Sequence, residues 1–98
     1  MIKVIIERRV VERLESPYEQ AIANLLDVIT AAPGYRGGES FRSKYQPNHY
    51  IVVSNWSNLD AWEKWFRSQD RQAVLDKINP FLEYPEKCTV LERHLYSS

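Results

Sequence analysis

The sequence predicts an α+β fold: four strands in one antiparallel sheet, with helices on a single face, in the order β-α-β-β-α-β. Three observations carry this. Stretches rich in β-branched residues alternate with stretches whose apolar residues recur at helical spacing. Each helical run starts at a candidate cap and stops at a proline, Ala32-Pro33-Gly34 in the first half and Asn79-Pro80-Phe81 in the second. The chain thus divides into two strand–helix–strand halves, and right-handed crossovers convert that order into a ferredoxin-like sheet.

The first strand is read over residues 2–12, in "IKVIIERRVVE". "SPYEQAIANLLDVITAAPG" then carries its own helix signals: Ser16 as cap, Pro17 at the first helical position and Glu19 completing a capping box. Ile22, Leu25, Leu26 and Ile29 follow on one face, and Pro33-Gly34 ends the run. "YRGGESFRSKY" and "HYIVVSNW" are two strands joined by a turn at Gln46-Pro47-Asn48. Gly37 and Gly38 imply a bulge or a close backbone approach in the first of them. Ser57 with Asp60 forms a second capping box before a helix over about 58–68. A further helical stretch, "DRQAVLDKI", runs to Asn79-Pro80, and "EKCTVLERHLY" is the closing strand. No linker or low-complexity tract interrupts residues 1–98, which read as a single domain.

Thirteen basic side chains balance thirteen acidic ones, so no global field favours nucleic acid or an anionic membrane. Cys88 is the only cysteine, which excludes an intrachain disulfide and a cysteine-based metal cluster and fits a reducing cytoplasm. The N-terminal apolar run Val4-Ile5-Ile6 is too short for a signal-peptide core or a membrane span. The expected location is cytoplasmic.

A sheet covered on one face should alternate apolar and polar residues along each strand. Ile2, Val4 and Ile6 fill one face of the first strand, yet Ile5 and Val11 lie on the other. In the third strand Tyr50, Val52 and Trp56 oppose Ile51 and Val53; in the last, Cys88 and Val90 oppose Leu91 and Leu95. Either the uncovered face is simply apolar, or it packs on a second copy of the chain.

All three tryptophans fall in "SNWSNLDAWEKWF". At about 100° per residue, Leu59, Trp62 and Phe66 share one helix face, the expected core, with Trp65 at its margin and half buried. Trp56 ends the third strand on the face of Tyr50, Val52 and Ser54. Trp56 and Trp65 are read either as core or as the walls of an apolar cleft between helices and sheet, a default ligand site.

"APGYRGGESFRS" and "PNHYIVVSNWSNLDAWEKWFRSQDR" resemble the antibiotic biosynthesis monooxygenase family of the dimeric α+β barrel superfamily. The shared pattern is Pro-Gly-Tyr after the first helix, a tryptophan ending the third strand, and an Ala-Trp-x-x-Trp helix followed by a polar break. The resemblance covers about residues 2–95 and implies a homodimer with facing sheets. Members include cofactor-independent oxygenases of aromatic polyketides, quinol oxygenases and haem-degrading enzymes. Against the haem-degrading branch, Trp65 matches its tryptophan, but Arg8 stands in place of its strand asparagine and Leu75 in place of its iron-ligating histidine, so haem degradation is disfavoured. Against the oxygenase branch, Trp56 matches the cleft tryptophan, while Val52 replaces its polar companion.

The resemblance therefore implies a cofactor-independent monooxygenase for an aromatic or quinol-type small molecule, without metal. Arg8, Ser54, Trp56 and Trp65 are the candidate substrate-binding residues, with Arg8 either solvated or holding an anionic oxygen. His49 and His94 are the candidate bases, each read also as a surface residue. No Ser-His-Asp, HExxH, P-loop or GxGxxG pattern is present. The alternative is a non-catalytic dimeric binding module for a hydrophobic small molecule.

Overall fold

The computed structural model of the chain describes residues 1–94. Strand β1 (Ile2–Arg9) is followed by helix α1 (Glu15–Thr30), strands β2 (Tyr35–Arg42) and β3 (His49–Trp56), helices α2 (Leu59–Phe66) and α3 (Gln69–Ile78), a 3₁₀ turn at Asn79–Phe81, and strand β4 (Lys87–Leu91). The four strands lie in the order β2-β3-β1-β4, every pair antiparallel. This is the α+β, ferredoxin-like architecture that the alternating strand and helix signals imply. α1 and α3 pack together over the inner sheet face.

Local signals differ from the expected ones in four places. Ser16 does not cap α1: the helix begins at Glu15, and Leu14 precedes it without a side-chain cap. A backbone turn does the work instead, with Leu14 N–H donating to Val11 O at 3.0 Å and Arg13 in the left-handed region at φ 76°. Pro17 then sits within the first turn, where its missing N–H costs nothing. Asn58, not Ser57, caps α2, accepting from Ala61 N–H at 2.9 Å. Ser57 is occupied elsewhere, donating through its hydroxyl to Gly34 O and accepting from Arg36 Nε at 2.7 Å. β1 stops at Arg9 rather than at residue 12, because Val10 pairs only as an isolated bridge with Leu82 and its carbonyl accepts from the Asn48 side chain. β4 ends at Leu91; Leu95 lies outside the described residues.

The glycine pair behaves as expected, with the β2–β3 register shifting between Tyr35 and Gly38. Register also sets the two sheet faces. Val4, Ile6, Arg8 and Val10 point inward and are buried, as are Tyr50, Ser54 and Trp56 on β3. Outside, Ile5 pairs with Val53 and Phe41 with Ile51; Phe41 and Leu91 are exposed. Lys3, Glu7 and Arg9 punctuate that outer face.

The tryptophan helix is rotated from its expected setting. Trp62 and Trp65 are both buried, whereas Leu59 and Phe66 are 48% and 45% exposed. The cause is a close approach at Gly34, whose φ of +83° requires glycine and where a Cβ would collide with Ala61. Seating Ala61 against the backbone centres the buried arc on Ala61, Trp62 and Trp65, which span about 100°. Phe66 and Leu59 then fall beyond its edge.

Candidate functional site: a cleft between helices and sheet

Between α1, α3 and the inner sheet face lies a cleft of about 130 Å³. Ile22 and Ile29 of α1, Val74 and Leu75 of α3, and Ile6 and Val52 of the sheet supply its apolar walls. The exposed side chain of Leu26 marks its open side.

Tyr35, Trp56 and Trp65 form the aromatic end. Trp56 is the hinge of this group, 6.2 Å from Trp65 in a stacked pair and 5.4 Å from Tyr35 edge to face. Its indole Nε1–H donates to Ser54 Oγ at 3.0 Å, and the Ser54 hydroxyl donates in turn to Val4 O at 3.1 Å. That relay fixes the indole plane and satisfies both polar groups inside the core.

The opposite end is charged. Arg8 Nε donates to Glu86 Oε1 at 2.8 Å and its Nη1 to the Tyr18 hydroxyl at 3.0 Å. Arg71 Nη2 donates to Glu86 Oε2 at 2.9 Å, so two guanidiniums share one carboxylate. Arg71 is also held by Phe66, donating to its carbonyl at 3.2 Å and lying 4.2 Å over its ring. The side chains of Arg8 and Glu86 are 8% and 5% exposed. Burial alone would lower the Arg8 pKa, but Tyr18 and Glu86 outweigh it and the guanidinium is held above its ordinary value. Burial alone would raise the Glu86 carboxyl, yet the paired Arg8 and Arg71 hold it below the usual range. Cys88, whose Sγ lies 3.5 Å from Glu86 Oε2, is pushed up to about 11 by burial and by that carboxylate.

A second, more open hollow of about 320 Å³ continues past Arg8, Ile22, Ser40 and Val52. There the Tyr50 hydroxyl donates to the Glu19 carboxylate, and burial together with this bond pushes the phenol up to about 12.

Four residues singled out from the sequence, Arg8, Ser54, Trp56 and Trp65, line this one cleft. Arg8 is not solvated, and Trp65 is buried rather than half exposed. The two histidines lie elsewhere. His49 pairs with Arg9 and reaches Glu7, 3.6 Å away on the outer sheet face, and His94 is exposed beyond the end of β4. Neither lines the cleft. Among the described residues no three His, Cys, Asp or Glu side chains converge as a metal site.

Sequence reasoning missed Glu86 and Arg71. Glu86 sits in a loop, 78 positions from Arg8, and no spacing announces it. Arg71 did carry a signal: with Val74, Leu75 and Ile78 it occupies the apolar stripe of α3, where a charge demands a partner.

The fold has many known counterparts. A Bordetella bronchiseptica protein carrying the antibiotic biosynthesis monooxygenase name is 24% identical, with 96% of this chain and 97% of that one covered and a TM-score of 0.86. SnoaB, a cofactor-independent oxygenase of Streptomyces nogalater, is 13% identical over 97% and 95% of the two chains, with a TM-score of 0.80. The Mycobacterium tuberculosis protein Rv0793 is 15% identical over 99% and 98%, with a TM-score of 0.81. At these identities the likeness concerns the fold. No curated protein matches the sequence at a significant level. The sequence profile of one family matches residues 1–77, and the chain belongs to that family, the antibiotic biosynthesis monooxygenases.

Proposed function

We propose that this protein is a cofactor-independent monooxygenase whose substrate is an electron-rich aromatic or quinol-type small molecule held in the helix–sheet cleft. The observation that carries the reading is the pairing of an aromatic end, Tyr35, Trp56 and Trp65, with the buried guanidinium of Arg8 and the part-buried one of Arg71. The chemistry uses the substrate as its own reductant. A hydroquinone loses two hydrogens and gains one oxygen, giving a hydroxyquinone, while the second oxygen atom of dioxygen leaves as water. The step that needs help is ionisation of the phenol, since its anion is the electron donor. Fixed positive charge in a largely apolar, partly enclosed site stabilises that anion. It lowers the substrate pKa without a strong base, which suits a cleft whose carboxylate, Glu86, is itself held ionised by two arginines.

The apolar Val52 and the absence of a histidine from the cleft lining favour the second reading, a binding module that retains the pocket without turnover. Oxygen uptake with a panel of hydroquinones and anthrones separates the two: substrate-dependent consumption supports the oxygenase. Ligand-induced tryptophan quenching without consumption overturns it in favour of the module. Haem turnover is not part of either reading, because Leu75 lines the cleft where an axial histidine would be needed.

The same reading has the protein working in the cytoplasm as a homodimer, joined through the outer sheet face around Ile5, Ile51 and Val53. Support comes from Phe41 and Leu91, large apolar side chains exposed on that face. Sedimentation as a monomer at micromolar concentration would refute it.

A further inference from the structure

We infer that the cleft selects a single-ring aromatic monocarboxylate, its carboxylate seated on the Arg8–Arg71 pair and its ring against Trp65. This deepens the proposed function, since it names the substrate class of the same site, but it concerns binding and stands or falls apart from turnover. Charge carries the first half of the argument. Arg8 and Arg71 bring two positive charges to the polar end of the cleft, and Glu86 returns only one negative charge. Glu39, the other acidic residue of the lining, is exposed and stands opposite Val53 on the outer sheet face, where solvent screens it. That end thus holds one positive charge more than its carboxylate balances, in a largely apolar lining, and an incoming anion completes it.

Donors tell the same story. Each guanidinium has five N–H groups. Arg8 Nη2 and Arg71 Nε donate to no protein atom among the described residues, while the remaining nitrogens are engaged by Glu86, Tyr18 and the Phe66 carbonyl. Both arginines are clamped before any ligand arrives, so little entropy is lost on binding. The two unengaged nitrogens, one on each guanidinium, offer charge-assisted N–H donors to the oxygens of a carboxylate.

Volume carries the second half. About 130 Å³ is close to the roughly 150 Å³ of an engineered apolar cavity that takes up benzene. A single ring fills this volume, whereas a fused polycyclic has to extend through the open side or into the adjoining hollow past Arg8.

The test is calorimetric titration, without oxygen, of gentisate, its methyl ester and hydroquinone, alongside hydroxynaphthoate. Gentisate is expected to bind about 10- to 100-fold more tightly than the ester, the ratio for one charge-assisted contact, and more tightly than hydroxynaphthoate. Arg71→Met leaves Arg8–Glu86 as a neutral pair and should erase the preference for the acid over the ester. Equal or tighter binding of the ester by the wild type overturns the inference, whether or not the variant folds. Retention of the preference by a folded Arg71→Met protein also overturns it. If gentisate binds selectively but drives no oxygen uptake, the inference holds and the oxygenase reading fails; turnover of hydroquinone without acid preference gives the reverse.

Discussion

Alanine replacement along the tryptophan segment should rank its side chains in an order that the amphipathic pattern alone does not give. Trp56 is 1% exposed, touches the rings of Tyr35, Trp62 and Trp65, and bonds to Ser54. A buried tryptophan cut to alanine costs about 3–5 kcal/mol, and each ring pair adds about 0.5–1.5 kcal/mol beyond area. Trp56→Ala therefore belongs at or above the top of that range. Trp62 keeps two ring contacts, with Trp56 and Phe66, and lies away from the cleft, so its loss leaves a closed void costing about 4 kcal/mol. Trp65 has one ring partner among the described residues and borders the cleft, so the space it vacates joins a volume that water can enter, and about 3 kcal/mol is expected. Phe66, already 45% exposed, should cost about 2 kcal/mol, part of it the contact with Arg71. Urea titrations followed by circular dichroism, at one protomer concentration because pairing shifts apparent stability, resolve such steps as midpoint shifts of about 1 M. Since a domain has only about 5–15 kcal/mol in total, a parallel series to phenylalanine keeps the Trp56 variant measurable. If Phe66→Ala costs as much as Trp62→Ala, α2 presents the face that its apolar spacing suggests, and the rotation set by Gly34 and Ala61 is wrong. A Trp65→Ala cost above that of Trp62→Ala would place Trp65 away from any water-accessible cleft.

Gly34→Ala should destabilise by more than about 1 kcal/mol, since it meets a positive φ and a collision with Ala61 at once; a neutral melting temperature would refute the proposed seat of α2. The Glu86 pKa is lowered on folding, so its contribution to stability is fully present above the ordinary carboxyl value of 4.5 and is lost as pH falls through the lower, folded value. Glu86→Gln should therefore lower stability near neutrality by about 3 kcal/mol, by leaving the buried Arg8 and the part-buried Arg71 guanidiniums undercompensated, and should flatten the acid limb of the stability profile; an unchanged limb refutes the linkage. Cys88, with its thiol pushed up to about 11, should resist alkylation at pH 8 in the native state and react on unfolding. Rapid native modification, followed by mass spectrometry, would contradict that environment.

The parts of this molecule that were legible in the sequence are those written in local periodicity. β1 could be read because Val4 and Ile6 alternate with polar or outer-face neighbours, and α1 because Ile22, Leu25 and Ile29 recur at helical spacing. The helix caps were misread by one or two positions: at α1 a backbone turn from Val11 to Leu14 starts the helix with no side-chain cap, and at α2 side-chain oxygens compete. Ser57 carries the right chemistry to cap α2, but Gly34 and Arg36 engage it first, and only the assembled β2–β3 end determines that. The rotation of α2 was hidden for a related reason: its apolar residues Leu59, Trp62, Trp65 and Phe66 cover more than one face, and a single close contact at Gly34 decides between settings. The site divides in the same way. Arg8, Ser54, Trp56 and Trp65 were accessible because strand alternation and helix spacing aim them at one layer. Glu86 was not, since the only fact that makes it important is the arrival of two arginines from β1 and α3 on its two oxygens. A lone acidic residue in a loop is ordinarily a solvated one. What turns it into part of a cleft is the closing of the sheet by β4, which brings residues 86–88 beside β1 and beneath α3. The charge balance of the cleft, on which its choice of ligand rests, is therefore a property of topology rather than of any motif.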